Sequence, residues 1–133
     1  MYKLKIMCAK LNKKGDYMLK IVTEFSKGIL FVRLYGTLNK NSVPMLNEEV
    51  TFLVKNNGFK NIVFNIEYLD EIDIKGAYAI LYNYEIVRKN KGNVYICGTN
   101  NEKITSKLKK LKIFNYIKKK KNELEILKKE RVI

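Results

Sequence analysis

Hydrophobic and polar residues change their spacing several times along the chain, and these changes predict alternating strands and helices. The nearly continuous apolar run 28–35 is typical of a strand buried on both faces. Residues 19–25 alternate more loosely, which predicts an edge strand, and residues 26–28 fit a hairpin turn between the two strands. The apolar runs 61–66 and 94–97 predict two more buried strands.

Between these strands the apolar positions recur every three to four residues, which is the period of a helix. Ser42 and Asn122 are capping residues that mark two helix starts, and the period itself places the other two near Ile74 and near Asn100 or Asn101. Residues 67–75 are rich in acids and predict a loop, and residues 114–117 predict a further short strand.

Strands that alternate with helices of this length predict crossover connections between parallel strands. The expected fold is therefore α/β, with a mixed sheet of four to five strands and about four helices. Its N-terminal hairpin would be antiparallel and its crossovers parallel. The chain length of 133 residues suits a single domain, which we place at residues 18–133.

Residues 1–17 form an extension before that domain, and two interpretations of it remain open. Residues 13–18 can be encoded by a purine-rich, ribosome-binding tract followed by a start codon, so we hypothesise that Met18 is the native start. The rival interpretation is an extra amphipathic strand over residues 2–8 at an edge of the sheet. Sequencing the N terminus of the natively expressed protein distinguishes them, and a mature end at Met1 rules out the first.

Composition changes this picture mainly by what it excludes. The absence of His excludes Ser-His-Asp and Cys-His catalysis and imidazole metal sites, and Cys8 and Cys97 are too few for a four-thiolate zinc site. The acids Asp70, Glu71 and Asp73 stand on one predicted loop without a partner base. We therefore expect no enzyme, no cofactor and no metal. We also expect a cytoplasmic protein that does not span the membrane.

The net charge of +14 at pH 7 raises the question of a polyanionic partner. Residues 101–133 hold 12 basic and 4 acidic side chains, including the run Lys118, Lys119, Lys120 and Lys121. This run is the basis of an alternative function, electrostatic binding of nucleic acid. No aromatic residue interleaves it, and an A+T-rich genome also produces Lys-rich composition, so nucleic acid is not the leading prediction.

Three segments in order resemble the STAS domain of anti-sigma factor antagonists. Residues 32–39 resemble the family's strand that ends in a Gly-Glu-Leu-Asp turn, which reads Gly-Thr-Leu-Asn here. Residues 61–69 resemble its apolar strand followed by Asp or Asn and then Leu. Residues 72–76, Ile-Asp-Ile-Lys-Gly, lie where the family has Asp-Ser-Ser-Gly. The resemblance covers roughly residues 19–127.

The resemblance implies binding rather than catalysis, in a bacterial partner-switching system that regulates transcription. An unmodified antagonist docks on an anti-sigma factor, often a serine kinase, and phosphorylation of the first Ser of the motif breaks the complex. Here Ile74 occupies that phosphoacceptor position, so the usual switch would be lost. Lys75 replaces the second Ser, and Asn39 replaces the Asp of the turn.

The same resemblance implies a docking surface for an anti-sigma factor or another STAS protein. In it Asp73 would cap and orient the following helix, Ile74 would make an apolar contact, and Lys75 would select by charge. The predicted partner-binding residues are Leu38, Asn39, Ser42, Glu71, Asp73, Ile74, Lys75 and Gly76.

Each of these features also has a simpler interpretation. Ile74 fits a surface residue without a role, and the acids around Asp73 fit either an imitation of a phosphorylated loop or helix capping and solvation. We expect Tyr78, Tyr82 and Tyr84 to pack in the core and at its rim rather than stack on bases, and Cys97 to be a buried small hydrophobe.

Overall fold

A six-stranded mixed sheet forms the centre of the computed structural model, which describes residues 4–11 and 17–130. The strands lie side by side in the order of the sequence. The first two pairs are antiparallel and the other pairs are parallel, which confirms the predicted α/β class. The strands are β1 (Leu4–Leu11), β2 (Tyr17–Ser26), β3 (Ile29–Leu38), β4 (Asn61–Ile72), β5 (Asn93–Cys97) and β6 (Lys118–Lys120).

Helices make the parallel crossovers, as the 3.6-residue period predicts. The β3–β4 connection is one continuous helical segment with a π-helical turn, Asn47–Thr51, in its middle. A short 3₁₀ turn, Ile113–Asn115, precedes β6. The α-helices are α1 (Val43–Leu46), α2 (Phe52–Asn57), α3 (Ile74–Lys89), α4 (Glu102–Lys110) and α5 (Glu123–Glu130).

Apolar side chains pack on both faces of the sheet. The larger cluster joins the strands to the crossover helices and includes Leu38, Ile72 and Ile80. The smaller cluster lies on the other face under α5, where Ile126 contacts a group that includes Cys97. Burial raises the pKa of Cys97 to about 12, so its thiol is the protonated, unreactive small hydrophobe that the sequence predicts.

The strands next to the predicted site are longer than the apolar pattern indicates. β3 continues through Gly36, which has a φ of +96° at a register shift, and ends at Leu38. β4 includes residues 67–72, so the predicted acid-rich loop is wrong for these positions. They pair with the end of β3 while their polar side chains face solvent, and such a strand has no continuous apolar run.

The two edges of the sheet also differ from the expected ones. β1 pairs with β2, so residues 19–25 are internal to the sheet instead of forming its edge. Residues 2 and 3 of the alternative N-terminal strand lie outside the described residues, and the choice of start codon stays a prediction. The prediction of a strand at residues 114–117 is wrong. Ile113 and Ile117 are buried and anchor a 3₁₀ turn in the core, and β6 begins only after this turn.

Within the described residues, no helix is long and apolar enough to cross a membrane.

Candidate functional site

The β3–α1 turn, residues 38–42, is held by its own side chains. Asn39 Oδ1 accepts hydrogen bonds from the backbone amides of Asn41 (2.9 Å) and Ser42 (3.2 Å), which forms an Asx turn. Ser42 Oγ accepts from the Asn39 amide (2.9 Å) and donates to the Thr37 carbonyl (2.8 Å). Ser42 thus stands at the N-cap position of α1, as predicted, but its hydroxyl closes the turn instead of capping the helix.

Asp73 joins this turn to the start of α3. Its Oδ1 accepts a hydrogen bond from the Gly76 amide (2.8 Å), which caps the helix, and its Oδ2 accepts one from the Lys40 amide (3.0 Å). The Asp73 amide donates to the Leu38 carbonyl (3.2 Å). One residue therefore caps the helix as predicted and also fixes the β3–α1 turn against it.

Gly76 allows the turn and the helix to approach. A Cβ at this position would lie 2.3 Å from the Leu38 carbonyl oxygen and 3.0 Å from the Ile72 side chain. The 2.3 Å separation from a backbone atom is shorter than real side chains tolerate, so only glycine fits between these two segments without movement. This close packing is the physical reason for glycine at the end of residues 73–76.

The eight predicted partner-binding residues lie together at the carboxyl ends of β3 and β4, but they divide into two groups. The buried or half-buried ones support the surface: Leu38, Asn39, Ser42, Asp73 and Gly76. The exposed ones are available for contact: Glu71, Ile74 and Lys75. The structure therefore brings the predicted residues together and leaves three of them open to solvent.

An apolar ridge on α3 extends this surface beyond the predicted residues. Ile74, Tyr78 and Tyr82 are 57%, 49% and 44% exposed and follow one another at intervals of four residues, on one side of the helix. Tyr84 packs against the core as expected, whereas Tyr78 and Tyr82 do not. The repeat is visible in the sequence only when the tyrosines are compared with Ile74 as well as with each other.

The acids near the ridge have different surroundings. Both carboxylate oxygens of Asp73 accept backbone hydrogen bonds, which favours the capping interpretation for this residue. Glu71 forms an ion pair with Lys103 at 3.6 Å, but both side chains are more than half exposed and such pairs stabilise little. Asp70 is exposed on β4. Asp70 and Glu71 thus both present negative charge to solvent here.

The basic run 118–121 forms an outer part of the sheet. Three of its four lysines make up β6, the last strand in the described sheet. Lys119 Nζ lies 5.3 Å from the centre of the Phe114 ring. Lysines on an edge strand discourage pairing with strands of other molecules, which gives the run a structural role that needs no nucleic acid.

A polar cluster lies on the face of the sheet that α5 covers, opposite the crossover helices. No local pattern in the sequence predicts this cluster. Arg33 Nε and Nη2 donate to the two carboxylate oxygens of Glu123, and Arg33 Nη1 donates to Glu24, each at 2.8 Å. Asn65 Nδ2 also donates to Glu123, at 2.8 Å. Arg33 and Glu123 are 90 positions apart, so only the fold brings them together. Their mutual pairing anchors α5 to the sheet.

A family model for the STAS domain matches residues 20–126. The anti-sigma F factor antagonist of Paenibacillus polymyxa is 27% identical over 82 residues, which are 62% of this chain and 70% of that protein. The family-model match covers β3, β4, α3 and the turns that form the site, and neither match supports the nucleic-acid alternative.

Solved structures share the fold. An anti-sigma factor antagonist from Mycobacterium paratuberculosis has a TM-score of 0.76 at 13% identity, over 86% of this chain and 95% of its own. The anti-sigma factor antagonist SpoIIAA in its unphosphorylated form has a TM-score of 0.68 at 18% identity, over 85% and 99%. The phosphorylated form of SpoIIAA from Bacillus has a TM-score of 0.66 at 15% identity, over 84% and 99%.

Proposed function

This chain belongs to the STAS domain family, and from that premise we propose that it is a protein–protein interaction module that binds an anti-sigma factor as an antagonist. The observation that carries the proposal is the assembly around Asp73, which holds the β3–α1 turn against α3 and leaves Ile74 exposed. Another STAS protein is the alternative partner. We expect the protein to act in the bacterial cytoplasm, in a partner-switching pathway that controls transcription.

Docking would bury the apolar ridge formed by Ile74, Tyr78 and Tyr82. Removal of such side chains from water is favourable, at roughly 25 cal/mol per Å² of apolar area. The hydrogen bonds of Asp73 and Ser42 fix the backbone around Ile74 before binding, which reduces the entropy lost on docking. The exposed Lys75 and Glu71 would then contribute mainly to partner specificity, through charge complementarity, and less to the overall binding affinity.

We also propose that phosphorylation at position 74 does not control this binding. Ile74 has no hydroxyl group, although its place at the N terminus of α3 is where the family motif carries its phosphoacceptor. The nearby Ser42 offers no simple replacement, because it is fully buried and its Oγ donates to the Thr37 carbonyl. The surface would therefore stay competent for binding while a kinase is active.

A calorimetric titration with the anti-sigma factors of the same organism tests this proposal. Ile74→Glu should weaken binding about 30-fold or more, since it brings a charge into a desolvated apolar contact. Leu124→Glu is the matched control, because Leu124 is 59% exposed but lies on α5, on the opposite face of the sheet. Unchanged binding by Ile74→Glu would rule out this surface, and the absence of any binding by the wild type would rule out the function.

A further inference from the structure

The outer edge of β4 lacks a neighbouring strand where it approaches the docking surface. β5 pairs with β4 only from Asn61 to Asn65, while residues 68–72 of β4 pair with β3 alone. Backbone carbonyls along this free edge need other partners, because unpaired polar groups at a packed surface are costly. Without such partners, β4 would be held least firmly directly before Asp73, the N-cap of α3.

Side chains of α4 and its N-cap replace the missing strand. Lys107 Nζ donates to the Ile72 carbonyl at 3.0 Å, and Asn101 Nδ2 donates to the Leu69 carbonyl at 3.4 Å. Asn101 Oδ1 also accepts a hydrogen bond from the Lys103 amide (3.0 Å) and so caps α4 itself. The start of α4 and the free edge of β4 are thereby held together.

The peptide unit between Ile72 and Asp73 is fixed from two sides. Its carbonyl group accepts from Lys107 on α4, and its N–H group donates to Leu38 on β3. This unit immediately precedes the capping carboxylate of Asp73 and the exposed Ile74. Its orientation therefore determines where α3 begins and the direction in which Ile74 faces the solvent.

We propose that Lys107 is a positioning residue for the docking surface, acting through the Ile72–Asp73 peptide unit. A charged donor makes a stronger hydrogen bond to a carbonyl than a neutral one, and a Met side chain would keep the unbranched shape of Lys107 without its donor. Lys107 does not itself contact the partner. The consequence for binding rests on the proposed function, whereas the effect on the peptide unit concerns the free protein.

Amide hydrogen exchange in the free full-length chain, read by NMR, tests the positioning role. In Lys107→Met, exchange of the Asp73 amide should accelerate about tenfold, while core amides such as that of Val63 keep their protection. Lys107→Arg should restore wild-type exchange, because a guanidinium can also donate to the Ile72 carbonyl. Lys109→Met is the matched control, since Lys109 lies in the same last turn of α4 and makes no such contact.

A titration of the same variants with the anti-sigma factor completes the test. We expect about fivefold weaker binding for Lys107→Met and wild-type affinity for Lys107→Arg and Lys109→Met. Wild-type protection of the Asp73 amide in Lys107→Met, or an equal change in Lys109→Met, overturns the proposal even if the wild type binds its partner. Faster exchange confined to Lys107→Met supports the positioning role, whether or not the partner binds. Absence of partner binding by the wild type refutes only the proposed function.

Discussion

Gly76 is buried beneath the proposed docking surface, so close to the Leu38 carbonyl that a methyl group at position 76 has no space there. Gly76→Ala should therefore destabilise the protein by about 3 kcal/mol, because neither the turn nor the helix can move without breaking the Asp73 hydrogen bonds. Urea denaturation measures this change in the free energy of unfolding.

The neighbouring Lys75→Ala serves as a control for that substitution. Lys75 is exposed, so its replacement should change the free energy of unfolding by no more than about 0.5 kcal/mol. Equal stability of Gly76→Ala and the wild type would show that the turn and the helix are not packed as tightly as the structure indicates.

Single residues differ in how well the sequence predicts their roles. Capping by Asp73 needs only the amide three residues later, so a local pattern is sufficient to predict it. The hydroxyl of Ser42 has an equally local capping option, but the path of β3 provides the Thr37 carbonyl instead. The exposure of Tyr78 and Tyr82 depends on which side of α3 faces the sheet, and that is a tertiary property.

Secondary structure elements show the same division. The helical period predicts the crossover helices because each buries one continuous side against the sheet. The extension of β4 to Ile72 is not predicted, since its outer side chains are polar and its pairing partner lies about 30 residues earlier in β3. The support of that strand by Lys107 is likewise beyond any local pattern, because the two positions are 35 apart.

Helix α5 should show a pH-dependent contribution to stability through Glu123. Burial raises the pKa of Glu123, but hydrogen bonds from Arg33 and Asn65 outweigh it, so the pKa lies below its ordinary value. The ionised form thus stabilises the fold fully above the ordinary Glu pKa of about 4.3, and this contribution is lost as the pH falls through the lower folded-state pKa.

Urea denaturation of the wild type and Glu123→Gln between pH 7 and pH 3 measures that contribution. The difference in the free energy of unfolding should be constant near neutral pH and should shrink below about pH 4. Glu85→Gln, which removes an exposed carboxylate from α3 outside this cluster, is the control variant. A difference between wild type and Glu123→Gln that is independent of pH would contradict the role assigned to the ionised carboxylate.

At the scale of the whole molecule, the net charge of +14 has little to do with the proposed docking surface. Three consecutive lysines form the edge strand β6, while the exposed residues at the site include the acids Asp70 and Glu71 as well as Lys75, next to an apolar ridge. Total charge therefore suggests a polyanion, whereas the arrangement of side chains favours a protein partner.

The central claim is that this surface binds an anti-sigma factor without a phosphorylation switch at position 74. The most direct test measures the affinity for the anti-sigma factor before and after incubation with the cognate kinase and ATP, for the wild type and Ile74→Ser. We predict that wild-type affinity is unchanged, while Ile74→Ser becomes phosphorylated and binds at least about tenfold more weakly, since a phosphate adds nearly two negative charges. Loss of wild-type binding after kinase treatment, or no binding by either protein, would contradict the account.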